Sequence, residues 1–147
     1  LLCLVAVGCE RQASPAPASA NPPPRAYPYS VNVELLDLDG AVVARGSISL
    51  ESYPGDMAHQ ESCGGAWAFE SVAPSPATRE GLGVIGNGML LAYRYEDTLG
   101  IDLNPNVADL NHGLGFEIRE GSLVGVDWDF STDGGPEPLG TCRVVSP

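Results

Sequence analysis

From Val31 onward, apolar and polar residues alternate with a period of two, and the chain reads as strands throughout. Val31, Val33 and Leu35 alternate with Asn32 and Glu34, and Asp39-Gly40 then supplies a tight hairpin turn of the positive-φ kind. A second strand runs from Ala41 to Leu50. Glu51 to Gly65 is a polar loop, and Ala66 to Val72 is a short strand with Trp67 and Phe69 on one face. Ala73 to Asn87 is a connection punctuated by Pro and Gly, with a small apolar patch at Leu82–Ile85. Met89, Leu91, Tyr93 and Tyr95 then mark the apolar face of a strand whose other face (Leu90, Ala92, Arg94, Glu96) is mixed. Leu99 to Leu103 is a short strand, followed by the loop Asn104 to Gly113. Leu114, Phe116 and Ile118 form the inner face of the next strand, which turns at Glu120-Gly121. Its partner sets Val124, Val126, Trp128 and Phe130 inward and Gly125, Asp127 and Asp129 outward. The loop Ser131 to Pro138 leads to Leu139–Ser146, where Cys142 and Val144 share a face. No long window keeps a 3.6 period. About eight short strands linked in series predict an all-β domain, a single meander-like antiparallel β-barrel or β-sandwich.

Upstream the pattern changes. Leu1 to Val7 is an uncharged apolar run, far short of the ~20 residues that span a bilayer as a helix. It ends in Ala6-Val7-Gly8-Cys9, which resembles the lipobox of bacterial lipoproteins, with Ala6 where that pattern usually has Leu. The resemblance implies that Cys9 is lipidated and becomes the mature N-terminus, held in the membrane by several acyl chains, including palmitate-type ones. Residues 1–8 are then a signal segment whose first residues precede Leu1. Residues 9–30, rich in Pro, Ala and Ser, bury too little to offset their ordering entropy and read as a disordered tether. At about 3.1 Å per residue such a tether reaches ~60 Å. Residues 31–147 are the β domain. Glu10 follows the cysteine, where an Asp marks inner-membrane retention in that family, so the expected location is the outer membrane of the cell envelope.

Charge narrows the partner classes. The chain carries 19 acidic against 7 basic side chains, a net charge of −12, and no lysine. Such a surface is repelled by nucleic-acid phosphates and anionic headgroups, and it favours basic proteins or cations. Cysteine usage adds a covalent expectation. With Cys3 in the signal and Cys9 lipidated, Cys63 and Cys142 remain, and in an oxidising compartment they are expected to pair. Closing so long a loop is worth up to ~4–5 kcal/mol in the chain-entropy view.

Candidate chemistry is sparse. Asp102, Asn104, Asn106 and Asp109 begin like a calcium-binding loop, but Val107 stands where the turn glycine belongs and Gly113 where the bidentate Glu belongs. Asp127 and Asp129 lie two apart on a strand, roughly 7 Å between side chains, a spacing that suits contact with a cation or a basic partner. Trp67, Trp128 and Phe130 are core aromatics that line a ligand pocket if the barrel is open, and a cavity enclosed by Trp67, Tyr93 and Trp128 would mark ligand binding. His59 with Cys63 has the local spacing of half a zinc site, which His112 and Cys142 would have to complete. No nucleophile elbow and no phosphate-cradling glycine loop is present, so no catalytic residue is nominated.

The stretch Glu120-Gly-Ser-Leu-Val-Gly-Val-Asp-Trp-Asp-Phe130 resembles the hairpins of small up-and-down barrels such as streptavidin and the lipocalins, which implies architecture and no ligand. In size and class the plan is similar to small periplasmic inhibitors of lysozyme or metalloproteases. The expected function is therefore a non-enzymatic envelope lipoprotein whose β domain binds a protein or small ligand. Two alternatives stay open, a calcium-type metal-assisted hydrolase and a structural envelope component without a discrete site.

Overall fold

A computed structural model describes residues 28–78, 83–106, 111–132 and 134–146. Eight strands follow in order: β1 (Tyr29–Asp37), β2 (Val42–Leu50), β3 (Ser62–Ser71), β4 (Gly86–Tyr95), β5 (Thr98–Leu103), β6 (His112–Arg119), β7 (Ser122–Thr132) and β8 (Gly135–Val145). Each pairs antiparallel with the next, and β8 returns to β1, so the sheet closes on itself. Of the two expected all-β architectures, the chain takes the barrel. Closure removes the exposed sheet edges that invite unwanted pairing. Tyr29 and Ser30, assigned to the tether from sequence, belong to the barrel wall.

Local chemistry fixes the tight turns. At the β1–β2 turn Gly40 has φ 82°, and the Asp37 carboxylate accepts the backbone N–H of Asp39 at 3.0 Å and of Ala41 at 2.9 Å. At the β6–β7 turn Glu120 and Gly121 both have positive φ (50° and 77°), the conformation that matches strand twist in two-residue hairpins. Curling eight strands into a small barrel also needs sharp bends. Inward-facing Gly46 and Gly125 allow the close backbone approach that such curling brings, since a Cβ there would sit on the neighbouring strand's carbonyl, that of Ala68 or Cys142.

The barrel is filled. Trp128, Phe116, Leu35, Ile48, Leu99 and Leu114 are among the inward side chains with under 2% of their surface exposed. Burying each is worth about 1.5–3 kcal/mol. His112 is enclosed with them, and its Nδ1 accepts the Trp128 indole N–H at 3.2 Å, which satisfies two polar groups deep in the core.

In two strands the inward residues differ from the sequence reading, in β4 along its length and in β7 before its bulge. In β4 the inward residues are Leu90 and Ala92, while Met89, Tyr93 and Tyr95 are exposed. Gly88 decides this: the Trp67 indole lies over it, with Nε1 only 2.8 Å from where a Cβ would stand, so 88, 90 and 92 must point inward. In β7 a bulge at Val126 breaks the alternation, because Gly115 pairs with Asp127 but Phe116 with Gly125. Trp128 and Phe130 keep the expected face, but Leu123 replaces Val124 and Val126 inside, and those two valines are exposed.

The expected Cys63–Cys142 bridge is not formed; both are free, buried thiols. The row through Cys142 runs across Leu35 and Ala44 to Ser71, at the far end of β3 from Cys63. Three strand steps of about 4.8 Å already exceed the ~7 Å between Cα atoms that a disulfide tolerates. Cys63 Sγ instead lies 3.8 Å from Met57 Sδ, and Cys142 Sγ lies 3.3 Å from the Gly115 carbonyl.

Candidate functional site

Residues in register on adjacent strands form rows on one face of a sheet. On the outer wall made by β4 to β7, one row is Tyr93, Gly100, Gly115 and Asp127. The next is Leu91, Asp102, Gly113 and Asp129. Asp102, nominated with a loop, and Asp127, Asp129 and Tyr93, nominated with two strands, therefore meet on a single wall. Its middle is glycine. The Asp127 carboxylate folds over Gly115 into the place a Cβ would take, and Asp129 Oδ1 lies 2.8 Å from the corresponding place at Gly113.

The gathering of carboxylates shows at Asp129. Burial pushes the Asp129 carboxyl above its ordinary range, and the charges of Asp127 and Asp102 push it further; burial alone raises Asp102. No cationic side chain relieves them among the described residues. Arg45 and Arg143 pair with Glu34, and Arg119 pairs with Glu117. Arg94 spends its guanidinium on the carbonyls of Pro54, Gly55, Met57 and Glu96, pinning the β2–β3 loop. The wall is thus an uncompensated acidic surface on a glycine floor. Along β4 it is edged by Met89, Tyr93 and Tyr95, which are 68%, 44% and 58% exposed.

The remaining nominated residues are not brought together. Asn104 has φ 58° and donates its Nδ2 to the Gly83 carbonyl at 3.1 Å, with Oδ1 turned toward Gly88, away from the outward-facing Asp102. Asn106 lies in the turn that follows, and Asp109 falls outside the described residues, as does Cys9. Among the described residues no group of three or more His, Cys, Asp or Glu side chains is placed to hold a metal ion. The half zinc site is taken up otherwise: His59 Nδ1 accepts the Glu96 N–H at 3.0 Å, while His112 sits in the core. Trp67, 3% exposed, donates its indole N–H to the Met89 carbonyl, and Trp128 is fully enclosed. Both are core residues with no face to offer a partner.

The glycines are the part of the site that the sequence reading missed. His112-Gly-Leu-Gly-Phe116 carries glycine at the first two outward positions of β6, whose inward positions are large, and that pattern is a signal for a bare outer wall. No known family, curated protein or solved structure matches the chain.

Proposed function

We propose that the chain is a lipid-anchored, non-enzymatic recognition domain of the bacterial envelope, and that its β4–β7 outer wall binds a basic protein. The observation that carries this reading is that Asp127 and Asp129 lie over Gly115 and Gly113, with Asp102 across Gly113 from Asp129, and that no cationic side chain among the described residues pairs with them. A positive group arriving there relieves repulsion already present in the free protein, so its approach gains more than an isolated surface pair of ~0.2–1 kcal/mol would. The packed interior favours surface recognition over small-ligand capture. Charged side chains at mid-strand positions of the outer face (Glu34, Arg45, Asp102, Asp127) suit a barrel standing in water on a tether, since a lipid-facing barrel needs an apolar band. The Cys9 lipobox and the Pro-rich segment after it supply that arrangement.

The test is an envelope pull-down with the full chain at low and high salt, repeated with Asp127→Asn/Asp129→Asn and with Gly115→Ala, whose Cβ displaces the Asp127 carboxylate. A basic partner should be retained at low salt, released at high salt, and weakened by both variants, about tenfold for the double one, or roughly 1.4 kcal/mol. Retention that ignores both salt and the variants sinks the reading.

A further inference from the structure

Where the acidic wall reaches the end of β7, Asp129 pairs across to Pro138 of β8, and a groove of about 380 Å³ opens beside that residue. Its floor is apolar. Phe130, whose ring lies 4.9 Å from the enclosed His112 ring, and Leu139, packed against the core, are both fixed from beneath. Its lip is Leu38, 75% exposed at the tip of the β1–β2 turn. That tip is rigid, because the two N–H bonds to Asp37 and the left-handed Gly40 hold it. Asp39 and Glu137 stand on the rim, and neither has an ion-pair partner among the described residues.

A preformed apolar slot with a carboxylate rim has a definite complement: a large aliphatic or aromatic side chain flanked by arginine or lysine. We propose that this groove is the anchor socket of the interface, taking one such apolar side chain from a cationic segment of the protein partner while neighbouring cations lie along the Asp102–Asp129 wall. The inference rests on the recognition reading above and deepens it. The wall alone accepts any polycation. The groove selects, because it rewards only a segment that alternates basic and apolar residues. It also accounts for a leucine held out in water beside a cavity whose rim carries Asp39 and Glu137.

Two synthetic peptides of equal length and charge test it against the full chain, one alternating Arg with Ser and one alternating Arg with Leu. The Leu peptide should bind at least about tenfold more tightly, the value of burying one such side chain. Leu38→Ser, an exposed change that leaves the melting temperature in place, should erase most of that gap and leave the Ser peptide within about twofold of its starting affinity. Amide signals of Leu38, Phe130 and Leu139 should shift on titration with the Leu peptide only. Equal affinities for the two peptides, or a gap untouched by Leu38→Ser with those amides unmoved, overturns the socket. The recognition reading then survives provided Asp127→Asn/Asp129→Asn still weakens the Ser peptide. If neither peptide binds at low salt, the recognition reading fails and the socket with it.

Discussion

Two rows of three outward residues, on opposite walls of the barrel, are built alike and charged differently. On β2, β1 and β8 the row is Arg45, Glu34 and Arg143; on β5, β6 and β7 it is Asp102, Gly113 and Asp129. In the first, a central carboxylate accepts from Arg45 Nε at 2.8 Å and from Arg143 Nε at 3.1 Å, and the Glu34 side chain is only 10% exposed. The hydrogen bonds from Arg143 and Arg45 hold its carboxyl below the usual range. In the second, the centre has no side chain and both flanks are acidic, so the Asp129 carboxyl is held up, first by burial and then by its neighbours' charges. The first row completes itself and fastens β8 to β1 where the barrel closes. The second has no arginine among the described residues to complete it.

The largest expected effect strips the first row. Replacing Arg45 and Arg143 together by Met leaves the Glu34 carboxylate, covered by those two side chains, without a counter-charge, and a carboxylate stripped of both partners costs more than an exposed pair is worth. Thermal unfolding should show a drop greater than the sum of the two single variants, since both act on one carboxylate. Adding Glu34→Gln should recover part of the loss, because the cost lies in the stranded charge. If the double variant melts like the parent, the first row is no more structural than the second.

A smaller effect, opposite in sign, separates the rows by pH. Glu34 has a depressed folded pKa, so its contribution is present above the unfolded carboxyl value of about 4 and is lost as pH falls through the folded value. Asp129 is raised, so its ionised form is the one the fold disfavours; it detracts from stability at neutral pH, and the penalty is relieved as pH falls through the raised value. Asp129→Asn should therefore melt at or slightly above the parent at pH 7, with the difference closing below about pH 4. Glu34→Gln should melt below the parent at pH 7 and converge with it in acid. An Asp129→Asn variant that melts lower at pH 7 would mean that the wall is already compensated.

The strand count, the series connectivity and most facing residues were legible because a period of two is a local signal and each turn carries its own chemistry. Asp39-Gly40 and Glu120-Gly121 are examples. The failures arose where a distant residue decides a local question. Nothing in Met89–Tyr95 says which face is inner; that depends on the Trp67 indole needing the bare Gly88 beneath it. In β7 the alternation changes phase at the bulge at Val126, whose mark is a register change against β6. The acidic wall followed the same logic: Asp102 and Asp129 were each visible, but their meeting across Gly113 depends on two ladders.

Cysteine arithmetic failed for a related reason, and it supplies the smallest expected effect. An oxidising compartment and two leftover thiols argue for pairing only if the fold brings them together. Here β2 and β1 separate their strands, and each thiol is sealed in its own site, Cys63 against Met57 and Cys142 at 2% exposure inside the wall. Burial pushes the Cys142 thiol up to about 12, so it has almost no thiolate with which to attack a disulfide or an alkylating reagent. The attachment of β8 to β1 then rests on the backbone ladder and on Arg143 with Glu34. A reductant should leave the melting temperature unchanged under conditions where the arginine variants lower it, and a thiol reagent should label Cys63 and Cys142 only after unfolding. A melting temperature that falls several degrees on reduction would transfer the closure of the barrel from the Glu34 row to a covalent staple, and the contrast between the two walls would lose its structural half.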